Sequence, residues 1–280
     1  MKYKATEQIL KIIKNKENIR NFGVIAHVDH GKTTMSDNLL GYAGIISPQA
    51  AGRALALDSM KLEQDRQMTI VQANVTLLFE KGDKEYVVNM IDTPGHIDFT
   101  GRVTRSLRAI DGAVVVSDSV EGIMTQTETV TRQALEERVR PVLYINKIDR
   151  LIKELRLTPD KMQEWLANIV STFNGLIDTY AEPEYREKWK VSIQDGSVSF
   201  GSAKDRWGFN IDVMKEKGIS FKDIYAAYQE GGSVDELAKK APLAEAVLGM
   251  VVKHHPPPHV AQKYRIPKIW KGDLESDIGK

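Results

Sequence analysis

The stretch from Asn21 to Ser36 constrains the fold most, because it predicts a short apolar strand, a tight loop and a helix in immediate succession. Backbone N–H groups in such a loop, together with the positive end of the following helix dipole, favour an anion such as a phosphate. Lys32 adds a full positive charge, and the Thr33 hydroxyl can bind Mg²⁺. Ala26 stands where the general phosphate-loop pattern has its first Gly, so the match to that pattern is one residue short. A Gly beside a Lys at a helix start can also arise by chance.

Strands and helices alternate along most of the first half of the chain. Apolar runs predict strands over 22–26, 74–79, 85–91, 112–117 and 141–145, and helical spacing predicts helices over 5–16, 32–42, 97–109, 125–138 and 158–180. A continuous apolar run such as Gly112–Ser117 is typical of a parallel strand covered on both faces. The alternation predicts an α/β fold with a mostly parallel, doubly wound sheet, in which ligands lie at the carboxyl ends of the strands.

Two further segments place Mg²⁺ and phosphate ligands at that edge. Asp92 ends a predicted strand and is followed by Thr-Pro-Gly-His96, so Asp92 is placed to hold Mg²⁺ through water and the Gly95 N–H to face a terminal phosphate. Alone, this tetrapeptide is also a common turn. Thr69 follows a long polar stretch, where it either begins a strand or supplies a second hydroxyl to Mg²⁺ from a loop that orders around the terminal phosphate.

The loop Asn146-Lys147-Ile148-Asp149 predicts recognition of guanine. The Asp149 carboxylate can accept hydrogen bonds from the N1–H and exocyclic amino group of guanine, and adenine presents no matching pair. The stem of Lys147 can lie on the base plane, while Asn146 can brace neighbouring loops. Gly201-Ser-Ala-Lys204 can offer a backbone N–H to guanine O6. Each of these tetrapeptides alone is also an ordinary polar loop.

The five motifs occur in one order along the chain, which indicates binding of GTP or GDP with Mg²⁺. Ala26–Thr34 and Asp92–Phe99 resemble the translational GTPases, in which Ala is a normal variant of the loop's first position. More closely, Thr33–Leu40, Val120–Glu128 and Ala261–Arg265 resemble the elongation factor 2 family, the translocases of archaea and eukaryotes. The similarity extends over essentially the whole chain.

The resemblance implies a P-loop NTPase G domain that hydrolyses GTP when stimulated by the ribosome, coupled to movement of tRNA and mRNA. It implies that His96 positions the attacking water, that Lys32 holds the β- and γ-phosphates, and that Asp29 is a further catalytic candidate. The implied metal ligands are Thr33, Thr69 and Asp92. The implied nucleotide-binding residues are His27, Val28, Asp29, His30, Gly31, Lys32, Thr33, Thr34, Asp92, Gly95, His96, Asn146, Lys147, Asp149, Ser202, Ala203 and Lys204.

One departure from the family pattern falls beside Thr69. The family's loop usually reads Arg-Gly-Ile-Thr-Ile, whereas here it is Arg66-Gln-Met-Thr-Ile70. A Gln at position 67 restricts a turn that needs positive φ. The Thr itself is retained, so the departure concerns the path of the loop and leaves the expected Mg²⁺ ligand in place.

The domain organisation follows from the same resemblance. Residues 1–204 are expected to form the GTP-binding domain with an N-terminal helix, residues 205–240 a reduced inserted subdomain, and residues 241–265 the closing helix. Residues 266–280 are expected to be a linker toward downstream domains. The run His254–His259 carries three His among prolines, which favours a solvent-facing linker over a metal site. The expected partners are the ribosome, through its large-subunit rRNA factor-binding site and stalk proteins, and the downstream domains, with the chain itself a monomer.

Composition narrows the environment. The chain has no cysteine, which excludes disulfides and thiolate metal sites, and its net charge of +1 leaves RNA contacts to local patches. It contains no apolar run of about twenty residues, so a cytoplasmic protein without a membrane span is expected. Two other functions remain: the G domain of a tRNA-delivering factor, disfavoured by Ala261–Arg265 and the insert, and a non-enzymatic nucleotide switch, disfavoured by His96 and Thr69. Asn146–Asp149 disfavours a P-loop kinase.

Overall fold

The computed structural model describes residues 2–47, 73–93 and 100–277, apart from the side chains of residues 2–5 and 100–102. The strands in this part of the chain are β1 (Ile19–Ala26), β2 (Ala73–Lys81), β3 (Lys84–Asp92), β4 (Gly112–Asp118), β5 (Arg140–Asn146), β6 (Val198–Ser202) and β7 (Trp207–Phe209). They form one sheet in the order β2-β3-β1-β4-β5-β6-β7. The five inner strands are parallel, whereas β2 and β7 run antiparallel to their neighbours at the two edges.

Helices connect the strands. They are α1 (Lys2–Ile12), α2 (Lys32–Tyr42), α3 (Thr100–Ala109), α4 (Thr125–Glu136), α5 (Ile148–Lys153), α6 (Pro159–Tyr180), α7 (Arg186–Trp189), α8 (Ile211–Lys217), α9 (Phe221–Ala227), α10 (Val234–Lys240), α11 (Leu243–His254) and α12 (Pro258–Ile269), with a 3₁₀ turn at Lys16–Asn18. The predicted helices over 32–42 and 158–180 are confirmed within a residue of their ends.

Both faces of the sheet are covered, which confirms the doubly wound architecture. Every residue of β4 is buried, and its side chains alternate between two cores. Val114 and Val116 pack with α2 and α11 on one face, whereas Ala113 and Val115 pack with α3, α4 and α6 on the other. A parallel strand between two helical layers has no solvent face, which is why this segment reads as an uninterrupted apolar run.

Residues 205–240, predicted to form a small inserted subdomain, contribute β7 to the edge of the sheet and then three short helices. Trp207 of β7 is fully buried and donates its indole N–H to the Tyr228 hydroxyl at 2.7 Å. Ile224 and Leu237 belong to the same hydrophobic cluster as α4 and α6. The segment is therefore packed on the main core.

The prediction of a solvent-facing linker at His254–His259 is wrong for its first two residues. His254 and His255 are only 8% and 2% exposed, and the His255 ring lies against Gly112, where an added Cβ would meet it at 2.3 Å. The prolines end α11 and start α12 without sending the chain into solvent. The α12 helix also runs to Ile269, inside the predicted linker. Its Arg265 donates to the Leu107 carbonyl at 2.8 Å and pairs with Asp111 at 3.1 Å, so the helix is held against α3.

Candidate nucleotide-binding site

Predicted site residues gather at the carboxyl edge of the parallel strands, and the phosphate loop begins where β1 ends. Two residues of this loop take left-handed backbone conformations, Asp29 with φ of 63° and Gly31 with φ of 90°. Gly31 is the N-cap of α2, and no side chain caps that helix end. The first N–H groups of α2 are therefore left to a ligand, and the helix dipole favours an anion there.

Lys32 and Asp92, predicted to bind phosphate and Mg²⁺, contact each other. Lys32 Nζ lies 2.7 Å from Asp92 Oδ1, and both side chains are buried. The contact arises because β1 and β3 are neighbours, with Val24 opposite Asp92, and Thr93 donates its hydroxyl to the Val24 carbonyl at 2.6 Å. A buried carboxylate at this point brings a hard oxygen ligand beside the phosphate-loop lysine.

The available donors suit Mg²⁺ chemically. Mg²⁺ takes oxygen ligands, keeps several waters and is bound through one or two protein groups plus phosphates. Asp92 supplies a carboxylate, and Thr33 is a half-buried hydroxyl residue in the first turn of α2. The described residues hold no cluster of three His, Asp or Glu that would form an all-protein metal site. Thr69, Gly95 and His96, and also Gln67, lie outside the described residues.

Asn146 joins three loops with one amide group. Its Nδ2 donates to the His30 carbonyl at 2.8 Å, and its Oδ1 accepts the Ala203 N–H at 2.9 Å. The side chain is buried, so these bonds are shielded from water. This geometry matches the predicted bracing by Asn146. Because the Ala203 N–H already donates to Asn146 Oδ1, that amide is not available for guanine O6. Donation to O6 remains a prediction for the other backbone N–H groups of residues 201–204.

Asp149 is the most informative residue of the site. It is 6% exposed, and its Oδ1 is a buried oxygen without a hydrogen-bond partner. Burial raises the pKa of the Asp149 carboxyl, and a hydrogen bond with Ser202 offsets part of that rise. Leaving a buried acceptor unpaired costs roughly 1–3 kcal/mol, or more when it is charged. A ligand with two adjacent N–H donors would remove that cost.

Asp149 opens onto a pocket of about 190 Å³ that most of the predicted base-binding residues share. Its lining consists of Gly31, Thr34, Asn146, Lys147, Asp149, Arg150, Glu154, Ala203 and Lys204. Ser202, next to Ala203 in the chain, is fully buried and does not line the pocket. The structure therefore brings the phosphate loop, the Asn146–Asp149 loop and the Ser202–Lys204 loop to one cavity.

His27 and His30 of the phosphate loop are held by contacts with neighbouring protein groups. His30 is fully buried, its Nδ1 accepts the Asp118 N–H at 3.2 Å, and its Nε2 lies 3.2 Å from Glu121 Oε2. Burial, helped by the neighbouring His27, lowers the pKa of His30, against the opposing effect of the two carboxylates. The His27 ring packs edge-on at 4.9 Å, whereas Val28 is half-buried and Asp29 is exposed.

Sequence reasoning missed several residues that shape this site. Asp118 ends β4 directly opposite Asn146, and its carboxylate contacts Lys147 at 2.9 Å and Arg150 at 2.8 Å. Asn38 of α2 donates to the Thr34 and Ala203 carbonyls at 2.7 and 2.9 Å. The available signal for Asp118 was its position, because an acidic residue at the carboxyl end of a parallel strand lies at the ligand edge.

We expect Gly31→Ala to weaken GDP binding at least tenfold. An Ala at φ of 90° is strained, and its Cβ would stand 2.2 Å from Asn146 Nδ2, displacing the amide that joins the three loops. Left-handed backbone costs about 1–2 kcal/mol for a residue with a Cβ, and overpacking about 1–3 kcal/mol. The measurement is the dissociation constant of a fluorescent GDP analogue.

Gly44→Ala is the matched control, because Gly44 has φ of 70° but an added Cβ would meet nothing within 4 Å. It should lower the thermal unfolding midpoint slightly and leave GDP affinity unchanged. Equal losses of affinity in the two variants would show that backbone strain, and not the contact with Asn146, sets the effect.

Comparison with known proteins agrees with this geometry. Residues 17–257 match the family described as Elongation factor Tu GTP binding domain. Relatives named Elongation factor 2 include those of Cenarchaeum symbiosum, 77% identical over 280 residues, Aeropyrum pernix, 59% identical over 278, and Sulfurisphaera tokodaii, 57% identical over 281. These alignments cover 99–100% of this chain and 38% of each relative.

The family match spans far more than half of the chain, and it includes β1 with its phosphate loop, Asp92, Asn146–Asp149 and Ser202–Lys204. The sheet order and the position of these loops are those expected of a P-loop NTPase G domain. The chain therefore belongs to the elongation factor Tu GTP-binding domain family, the guanine-nucleotide-binding module of translational GTPases.

Proposed function

We propose that this chain is the GTP-binding and GTP-hydrolysing module of a ribosomal translocase of the elongation factor 2 type. The observation that carries the proposal is Asp149, which lines a pocket shared with the phosphate loop and whose Oδ1 is buried without a hydrogen-bond partner. Guanine offers the paired N–H donors that this carboxylate lacks, and adenine does not. The relatives named Elongation factor 2 supply the class of protein.

In this proposal Thr33 and Thr69 would hold Mg²⁺, with Asp92 contributing through water, and the ion would neutralise charge on the phosphates. Lys32 and the N–H groups at the start of α2 bind the same phosphates. Because Lys32 contacts Asp92, one ion pair links the phosphate ligand to the metal-linked carboxylate. The ion pair therefore holds the Lys32 ammonium group and the Asp92 carboxylate next to each other before the nucleotide binds.

The hydrolytic step is assigned by resemblance. His96 positions the water that attacks the γ-phosphate, and Asp29 is a weaker candidate for a chemical role. Asp29 stands exposed in the phosphate loop, so it remains accessible to a partner. His27 and Val28 contribute the backbone of the loop.

The partners follow from the relatives' name and length. The chain spans 38% of the relatives' length, so movement of tRNA and mRNA is proposed for a longer protein in which this module contacts downstream domains. The ribosomal contacts would be the large-subunit rRNA factor-binding site and the stalk proteins, in the cytoplasm, with one copy of the chain. Among the described residues no helix has the length and apolarity to cross a membrane.

The test is nucleotide hydrolysis with and without ribosomes, using ATP as the control substrate. We expect slow GTP hydrolysis alone, stimulation by ribosomes and no comparable ATP hydrolysis. His96→Ala should keep GTP binding but lose the stimulated turnover, because the attacking water is no longer positioned. The measurement is multiple-turnover phosphate release, with GDP affinity determined in parallel.

Two results would contradict the proposal. Unchanged ribosome-stimulated turnover in His96→Ala would remove the assignment of that residue. Guanine-selective binding without stimulation, in a protein that also carries the downstream domains, would favour a nucleotide switch over a translocase.

A further inference from the structure

A buried carboxylate outside the predicted nucleotide ligands stands at the centre of the base-binding edge. Asp118 is fully buried at the carboxyl end of β4, and its backbone lies opposite Asn146 of β5. Its Oδ1 accepts the Val120 N–H at 2.7 Å and the Glu121 N–H at 3.3 Å. These two bonds fix the orientation of the carboxylate and therefore the position of its other oxygen, Oδ2.

That other oxygen binds two cations of the guanine loop. Asp118 Oδ2 lies 2.9 Å from Lys147 Nζ and 2.8 Å from Arg150 Nη1. Both cations line the nucleotide pocket, and each side chain is just over one quarter exposed. Although burial opposes it, hydrogen bonds from Lys147 and Val120 lower the pKa of Asp118, so the carboxylate is charged at neutral pH.

The backbone of Lys147 is fixed from the same side. Its φ is 60°, a left-handed conformation uncommon for a residue with a side chain. Its carbonyl accepts the Ser119 hydroxyl at 2.8 Å, next to Asp118 in the chain. The β4 loop therefore holds both the backbone and the ammonium group of Lys147.

The same loop reaches the phosphate loop. His30 accepts the Asp118 N–H and lies against Glu121, and Glu121 in turn lies 3.8 Å from Arg150. One buried strand end thus connects the residue before Gly31 with the loop that contacts the base.

Fixing Lys147 before the nucleotide binds has an energetic consequence. A free lysine side chain has many rotamers, and ordering it costs conformational entropy. A ligand that meets an already ordered side chain does not lose that entropy on binding, so its affinity rises without any new contact.

We propose that Asp118 is a positioning residue for guanine-nucleotide binding, which holds the Lys147 side chain in place against the base. This inference rests on the proposed function, since it gives Asp118 a task only if a guanine nucleotide occupies the pocket. Asp118 acts through Lys147 and does not itself touch the ligand.

The test is a double-mutant cycle on GDP affinity in the whole chain. Asp118→Asn keeps the size and the Oδ1 acceptor but removes the charge, and we expect about tenfold weaker GDP binding, chiefly through faster release. Lys147→Met removes the partner, and in that background Asp118→Asn should change affinity less than about twofold, because coupled residues are not additive.

Asp212→Asn is the matched control. Asp212 pairs with Lys253 at 2.7 Å on α8 and α11, which contribute no residue to the nucleotide pocket. GDP affinity should be unchanged in this variant. If Asp118→Asn does not fold by circular dichroism, Asp118→Glu enters the same cycle, because it keeps the charge but displaces it by one methylene.

An equal loss of affinity from the Asp118 substitution in both backgrounds would overturn the inference, because Asp118 would then act through the loop backbone and not through Lys147. Unchanged affinity in Asp118→Asn would overturn it as well. The proposed function is tested separately by the wild-type chain, since equal binding of GDP and ADP would remove it whatever the cycle shows.

Discussion

Asp149→Ala should abolish the preference of this protein for guanine over adenine nucleotides. A buried site that pairs with a ligand's N–H groups rejects an analogue lacking them by about 10⁴–10⁵-fold. We therefore expect the wild-type chain to bind GDP that much more tightly than ADP, and the variant to bind the two within about tenfold of each other. The dissociation constants of both diphosphates, measured by calorimetry or competition, give this ratio directly.

The physical reason is the unpaired oxygen. Asp149 Oδ1 is buried without a donor, so it discriminates strongly between a base that supplies N–H groups and one that does not. Inosine diphosphate, which has the N1–H but lacks the exocyclic amino group, should bind between GDP and ADP. This intermediate value would show that both donors of guanine contribute.

Asp205→Asn is the matched control for Asp149. Asp205 is close enough to Asp149 that its charge helps to raise the pKa of the Asp149 carboxyl, but it accepts the Tyr228 hydroxyl at 2.6 Å and does not line the pocket. The Asp205→Asn variant should still bind GDP more than about a thousandfold more tightly than ADP. A ratio that stays that high in Asp149→Ala would contradict the assignment and transfer base recognition to the backbone of 201–204.

Lys32→Met should impair stability and nucleotide binding together. It leaves the fully buried Asp92 without the ammonium group 2.7 Å away. Removing one partner of a buried ion pair typically costs about 3–5 kcal/mol of folding free energy. GDP should also bind about 10–100-fold more weakly, because a charge-assisted hydrogen bond to phosphate contributes roughly 1.5–3 kcal/mol. Urea unfolding and GDP titration measure the two effects.

The double variant Lys32→Met/Asp92→Asn separates these effects. Removing both charges should restore much of the free energy of unfolding, since the carboxylate that lost the Lys32 ammonium group is replaced by a neutral amide, but it should not restore GDP affinity. If Lys32→Met unfolds at the wild-type urea concentration, the ion pair with Asp92 does not stabilise the fold. If the double variant regains GDP affinity, Lys32 is not a phosphate ligand.

Much of the fold and the class of ligand can be predicted from local sequence patterns. The apolar run of β4 and the loop before Lys32 predict a parallel sheet and a phosphate loop, because burial on both faces and a strand–loop–helix junction each leave a pattern within a few residues. The order of the motifs predicts the ligand class, and the family match confirms it. Roles for Thr69, Gly95 and His96 remain predictions.

Long-range packing decided the rest. No local pattern shows that His255 lies against Gly112, that Arg265 binds carbonyls of α3, or that Lys32 pairs with Asp92, because each contact joins residues 60 or more positions apart.

Asp118 is the clearest case. In the sequence it is one acidic residue at the end of an apolar run, and only the pairing of β4 with β5 brings it opposite Asn146 and against Lys147. The sequence alone predicted a guanine-nucleotide ligand, the residues that would bind it and the edge of the sheet at which they would lie, and the family match confirms the ligand class. The tertiary structure decided which side chains hold them there, because the pairing of β4 with β5 brings Lys147 and Arg150 to Asp118, and a buried charge is costly unless an opposite charge pairs with it.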